Sequence, residues 1–159
     1  MILSPDLNRA ILAMAPAHIV RDHAPANWQQ VREASTIDRV IVWSGEANHS
    51  IYGDARVNYA FRAWHDRCHL IGQFPFTIAG EESAVALQCQ QLRERFPNAP
   101  QLWQDAISAD VLGVVYLLHA GLGYVTDQAA SVRRILAMPG GLASIKPTRE
   151  LRRYAYGQD

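Results

Sequence analysis

Apolar residues recur at intervals of three and four along most of this chain, which is the spacing of one face of a helix. One long pattern of this kind predicts a helix over residues 55–71, capped by Asp54. Its apolar stripe consists of Val57, Phe61, Trp64, Cys68 and Ile71. A second pattern predicts a helix over 81–96, with Gly72 to Gly80 as the connecting loop. The sequence therefore predicts two long helices joined by a short loop.

Shorter patterns predict the remaining elements. Four further helices are expected at about 5–14, 27–34, 101–121 and 126–137. Arg39 to Trp43 is apolar and β-branched and favours a strand, and Thr148 to Tyr156 favours a short basic helix. The fold class that follows is mainly α: a single-domain helical bundle over residues 1–159, built around a central helix pair at 55–96, with at most one short β segment.

Composition bounds the class of protein. Fifteen basic and fifteen acidic side chains cancel, and 49% of the residues are hydrophobic. This balance is typical of a globular domain and excludes a nucleic-acid binder that works through overall positive charge. The two cysteines form no C-x-x-C pair, which favours a reducing, cytoplasmic location, and no apolar run is long enough for a transmembrane segment. A peripheral position at a membrane and the oligomeric state are left open.

Two histidines and two acidic residues carry the clearest chemical signal. His65 and His69 are four residues apart, so on a helix both imidazoles point the same way and can bind one divalent metal ion. Asp66 follows the first histidine, and Glu81 falls in phase with the buried face of the next helix, whereas Glu82 leans towards solvent. The sequence therefore predicts that the helix pair at 55–96 is metal-binding, with a metal site at these two histidines, Asp66 and Glu81. Its nitrogen and oxygen ligands make zinc the first choice, and iron(II) or manganese also fits.

The string H-D-x-x-H-x11-E that these residues form resembles the metal motif of the coenzyme Q (ubiquinone) biosynthesis protein 4 family. The resemblance covers about residues 58–91. It implies an all-helical protein that binds its metal through His65, Asp66, His69 and Glu81, beside an apolar cleft for a prenylated aromatic ring. The chain is shorter than members of that family, so we expect a compact bacterial or phage relative, an enzyme acting on a small or prenylated aromatic substrate.

Alternative functions use the same residues. In a zincin-like peptidase or amidase, the two histidines and the glutamate bind zinc, and Asp66 is the general base that activates water. In a non-catalytic interaction protein, four side chains close the coordination of a metal that only staples two helices together. A His-Asp phosphohydrolase would need His49 and Asp110 as further partners, and it is disfavoured because His49 lies in a loop close to the motif.

Other residues near the motif are candidates for supporting roles. Arg62 lies one turn before His65 and is placed to bind an anionic group. Asp110 and His119 lie in the most apolar helix, where either could hold a ligand imidazole, although a core group satisfied elsewhere is the simpler explanation. The aromatic residues that could line a cleft are Trp43, Trp64, Phe74, Phe76 and Trp103.

Overall fold

The computed structural model describes residues 3–45, 47–121 and 127–147. The helices in these ranges are α1 Pro5–Met14, α2 Trp28–Ala34, α3 Ala55–Gly72, α4 Ile78–Arg95, α5 Gln101–His119 and α6 Gln128–Ala137, followed by a 3-10 helix at Gly141–Ile145. The strands are β1 Ala17–Arg21 and β2 Arg39–Trp43. The mainly α fold class is therefore confirmed, whereas the helix predicted for Thr148 to Tyr156 lies outside the described residues. None of the described helices is both long enough and apolar enough to cross a membrane.

The small sheet corrects the expectation of at most one short β segment. β1 pairs in parallel with β2, in a register that sets Ala17 opposite Arg39 and Arg21 opposite Trp43. The chain passes from one strand to the other through α2, as parallel pairing requires a crossover connection. β1 was missed because its five residues form a strand only against a partner that lies some twenty residues further along the chain.

α3 is the central element of the fold. One side of it contributes Trp64 and Cys68 to the main core, which α4 and α5 share. Its other side packs Ala63 against Val40 and Val42 of β2, in a second and smaller core. α3 therefore separates β2 from α4, and a site on α3 can be lined by elements that are distant in sequence.

The start of α4 places Glu81. The helix begins at Ile78 rather than at 81, because the Thr77 hydroxyl caps it by accepting a hydrogen bond from the N–H of Gly80. Gly80 also lets the helix approach the preceding loop, since a Cβ here would lie 1.8 Å from the carbonyl oxygen of Pro75. Glu81 consequently lies in the first turn of α4, close against the end of α3.

Candidate metal centre

His65, His69 and Glu81 come together where α3 meets the first turn of α4. The Nε2 atoms of the two histidines are 3.1 Å apart. The carboxylate oxygens of Glu81 lie 3.0 Å from Nε2 of His65 and 3.2 Å from Nε2 of His69. His69 and Glu81 are buried and His65 is partly buried. Two imidazoles and one carboxylate therefore face a common point, as the sequence predicted for these three residues.

Hydrogen bonds behind each imidazole determine which nitrogen faces that point. Nδ1 of His65 donates to the side-chain oxygen of Gln88 at 3.1 Å, and Nδ1 of His69 donates to the carbonyl oxygen of Phe74 at 2.8 Å. Because both partners are acceptors, each neutral imidazole carries its proton on Nδ1 and presents the lone pair of Nε2 to Glu81. Three acceptors that face one another in a buried place need a shared cation, either protons or a metal ion.

The separations within the group fit a first-row divalent ion. Two nitrogen or oxygen ligands at about 2.0–2.1 Å from zinc are roughly 3.3 Å apart at a tetrahedral angle and roughly 2.9 Å apart at a right angle. The separations of 3.1 Å between the two imidazole nitrogens and of 3.0 and 3.2 Å from them to the two different oxygens of Glu81 lie between these values. Two histidines and one carboxylate form the ligand set of several catalytic zinc sites and of non-haem iron(II) sites. The residues present therefore fit a metal of this class.

The three side chains also interact strongly without a metal. Burial would raise the pKa of the Glu81 carboxyl, but hydrogen bonds from both imidazoles hold that pKa well below its ordinary value. Burial would lower the pKa of His65, but the hydrogen bond and charge of Glu81 raise it instead. A proton held between His65 and Glu81 accounts for both shifts, and metal binding would have to displace it.

Asp66 lies beside this group. It is partly buried and lines the same cleft as His65 and Glu81. Among the described residues, the side chains whose ligand atoms lie within 4.8 Å of one another are His65, His69 and Glu81, without Asp66. Burial raises the pKa of Asp66 to about 6, and the neighbouring positive charges offset this only in part. Its predicted role as fourth ligand or as base stays a prediction.

A cleft of about 310 Å³ opens beside His65 and Glu81. α5 contributes an apolar wall to it, and β2 contributes Ile41 to Trp43. The polar side chains in its lining, besides His65 and Glu81, are Asn58, Arg62, Asp66, Asp110 and Gln128. This volume is at the lower end of the range for small-molecule sites in proteins.

The groups that orient the imidazoles differ from the candidates proposed from the sequence. Asp110 accepts a hydrogen bond from a tyrosine hydroxyl, and Nδ1 of His119 contacts a carbonyl of its own helix. The Nδ1 atoms of His65 and His69 contact Gln88 and the carbonyl of Phe74 instead. Gln88 could have been found, because it lies two helical turns after Glu81 in phase with the buried stripe of α4. The contact from the carbonyl of Phe74 could not have been found in this way, because a backbone carbonyl is not encoded by the residue type.

Other sequence candidates are divided between the cleft and the core. His49 is exposed and lies outside the group of possible ligands in the described residues, so the histidine partner of a His-Asp phosphohydrolase is not assembled there. Trp43 lines the cleft, whereas Trp64 is buried in the core. Phe76 contacts His69 edge to face, with the ring centres 4.9 Å apart. Trp103 packs against an aromatic ring near the start of α5.

Replacing Gln88 by leucine is expected to weaken zinc binding about 10- to 100-fold, because His65 then loses the acceptor that fixes its orientation. The measurement is a competition titration against a chromophoric chelator. Gln90→Leu is the matched control, since this side chain lies on the same helix but is exposed and bonded to Glu94. Equal zinc affinity in Gln88→Leu and the control would show that the contact does not orient the ligand.

Comparison with known proteins identifies no relative of this chain. No family model matches the chain, and no curated protein and no solved structure matches it significantly. Fold and site therefore define a class and no further identity: a mainly helical protein with a His-His-Glu group that could bind a metal ion.

Proposed function

We propose that this protein is a divalent-metal-dependent enzyme that acts on a small molecule in the cleft beside His65. The observation that carries the proposal is the convergence of His65, His69 and Glu81, with both imidazoles held from behind so that Nε2 faces the carboxylate. Zinc is the metal that this ligand set favours, and iron(II) or manganese is the alternative. The metal would supply Lewis acidity at the end of the cleft that His65 and Glu81 line.

The position of the group favours an enzyme over a structural staple. Structural zinc sites are closed by four protein ligands, whereas catalytic sites have three and leave a position for substrate. Here three side chains converge, and two of them, His65 and Glu81, line an open cleft. Asp66 lines the same cleft and is placed to accept a proton from a bound molecule. Its role in the proposal is that of general base.

A small or prenylated aromatic molecule is the substrate class that we propose. The motif over residues 58–91 resembles that of the ubiquinone biosynthesis family. The cleft combines an apolar wall from α5 with Trp43, a lining suited to a ring. Its volume of about 310 Å³ is also enough for a substituted ring.

A zincin-like hydrolase is the second candidate, because β2 contributes to the lining of the cleft. The outer edge of this strand is already engaged, however. The N–H of Ile41 donates to the Ser35 hydroxyl, and the carbonyl of Trp43 accepts from Arg62. A peptide laid along β2 would have to displace these bonds, so an amidase with a compact substrate fits better than a peptidase. Peptide cleavage that is lost in Asp66→Asn, with the metal retained, would favour the hydrolase.

Elemental analysis of the purified protein tests the proposal. We expect about one zinc or iron per chain in the wild type and almost none in His65→Ala or Glu81→Ala. Glu82→Gln is the matched control, because Glu82 is the next residue of α4 but bonds to Tyr116 and Lys146 instead of the histidines. A wild-type protein without metal, even after reconstitution with zinc or iron, would contradict the proposal.

X-ray absorption spectroscopy of the zinc-loaded protein distinguishes a catalytic metal site from a structural one. We expect wild type and Asp66→Asn to give the same number of imidazole and carboxylate ligands, with one further light ligand from solvent. Loss of a carboxylate ligand in Asp66→Asn would make Asp66 the fourth protein ligand and favour a closed, structural site. Mass spectrometry of the same sample for a copurifying quinone or lipid tests the proposed substrate class.

A further inference from the structure

One carboxylate oxygen in the cleft lining is buried without a partner. Asp110 on α5 is only 8% exposed, and its Oδ2 accepts a hydrogen bond from the Tyr52 hydroxyl at 3.1 Å. Its Oδ1 has no hydrogen-bond partner among the described residues. Buried carboxylate oxygens are normally satisfied, and an exception calls for an explanation such as a ligand. Asp110 lines the same cleft as His65 and Glu81, so a small shift of its buried side chain would let a molecule in that cleft supply the missing donor.

The surroundings of Asp110 select the kind of donor. Arg62 and His65 both line the cleft, and their positive charges act on the Asp110 carboxylate. A divalent ion bound to His65 would add more positive charge to the same space. An ammonium donor would therefore be repelled, and a neutral hydroxyl group is favoured. Val111 and Val114 follow Asp110 on α5 and extend the lining as an apolar wall.

We propose that Asp110 is a substrate-binding residue, whose Oδ1 accepts a hydrogen bond from a neutral hydroxyl group while the apolar part of the substrate packs along Val111 and Val114. This inference rests on the proposed function, because it takes the cleft as the substrate site. It goes further by naming the functional group that is recognised and the residue that recognises it. The Tyr52 hydroxyl keeps the carboxylate in place by holding its other oxygen.

Three small probes distinguish a neutral hydrogen-bond donor from a non-donor and from a charged donor: benzyl alcohol, benzyl methyl ether and benzylamine. The alcohol and the ether share a ring and an oxygen, but only the alcohol donates a hydrogen bond. The amine donates and is positively charged. Titration of zinc-loaded, methyl-labelled protein by NMR measures both affinity and position, since the methyl groups of Val111 and Val114 report binding in the cleft. We expect about a tenfold preference for the alcohol over the ether, and weaker binding of the amine.

Two substitutions on α5 provide the comparison. In Asp110→Asn the preference for the alcohol is expected to fall several-fold, because a neutral amide oxygen is a weaker acceptor than a carboxylate. Asp105→Asn should keep the preference, because Asp105 is an exposed acid of the same helix that lies outside the cleft lining. Zinc content is measured in each sample, which separates loss of the metal from loss of the hydroxyl contact.

Equal binding of alcohol and ether by the wild type would overturn the inference. So would alcohol binding that leaves the Val111 and Val114 methyl groups unshifted, or a preference that Asp110→Asn retains in full. Any of these results in a zinc-loaded protein would leave the proposed metal function intact. A preference for the alcohol in a protein that binds no metal would instead support the role of Asp110 and contradict the proposed enzyme.

Discussion

Zinc is expected to raise the melting temperature of the metal-free protein by about 10 °C. A ligand present at about a thousand times its dissociation constant stabilises the folded state by about 4 kcal/mol, and each kcal/mol corresponds to about 2–4 °C for a chain of this size. Chelator-treated protein is melted in a calorimeter with and without added zinc. The gain depends on the ligand group, so His65→Ala should lose most of it and Glu82→Gln should keep it. An equal gain in His65→Ala would place the zinc elsewhere.

This stabilisation should depend on pH in a defined direction. Without a metal, Glu81 raises the pKa of His65, so the protonated pair stabilises the fold at low pH. That contribution is lost as the pH rises through the raised pKa of His65. Zinc needs neutral imidazoles, and its effect grows over the same range. The difference in melting temperature between zinc-bound and metal-free protein should therefore increase with pH, and a difference that shrinks would contradict the assignment of His65 as a ligand.

Asp110→Asn is expected to make the metal-free protein more stable at neutral pH, by up to about 3 kcal/mol. Burial raises the pKa of the Asp110 carboxyl from 3.8 to about 6, an effect that Tyr52, Arg62 and His65 offset only in part. The charged carboxylate therefore destabilises the folded state at neutral pH, whereas an amide carries no charge. The amide oxygen can still accept the hydrogen bond from Tyr52. Urea unfolding with a chelator present measures the difference.

The pH dependence distinguishes this effect from ordinary repacking. Between the unfolded pKa near 3.8 and the folded pKa of about 6, the folded protein holds a proton on Asp110 that the unfolded chain releases. The free energy of unfolding of the wild type therefore falls as the pH rises through this window, and the contribution of this group to that fall is missing in Asp110→Asn. Asp105→Asn, at an exposed site of the same helix, should resemble the wild type. A variant that is less stable than wild type at neutral pH would contradict the prediction.

Local patterns were sufficient to predict that three of the four candidate side chains converge. The four-residue spacing of His65 and His69 and the phase of Glu81 on the buried stripe of α4 are properties of helices, and the structure brings these three together. The helical phase predicted less well the surroundings of Glu82. It was expected to lean towards solvent, but it is partly buried and bonds to Tyr116 and Lys146.

Contacts between distant segments were not predictable in the same way. β1 forms against β2, and the carbonyl that orients His69 belongs to the loop before α4. The cleft is lined by β2, α3 and α5, and which residues of α5 face it depends on how the helices pack. Asp110 was accordingly considered as support for a ligand imidazole, whereas it lines the cleft and bonds to Tyr52.

The division of the site between segments has a consequence for how such a protein can change. All three converging side chains lie within seventeen consecutive residues of one helical hairpin, whereas the apolar wall of the cleft belongs to α5. Substitutions at Val111 or Val114 alter the shape of the cleft without touching a ligand or the groups that orient it. Under the proposed function, the hairpin would keep the metal centre constant while α5 varies, and a designed library that varies α5 alone would test new substrates against an unchanged set of metal-binding residues.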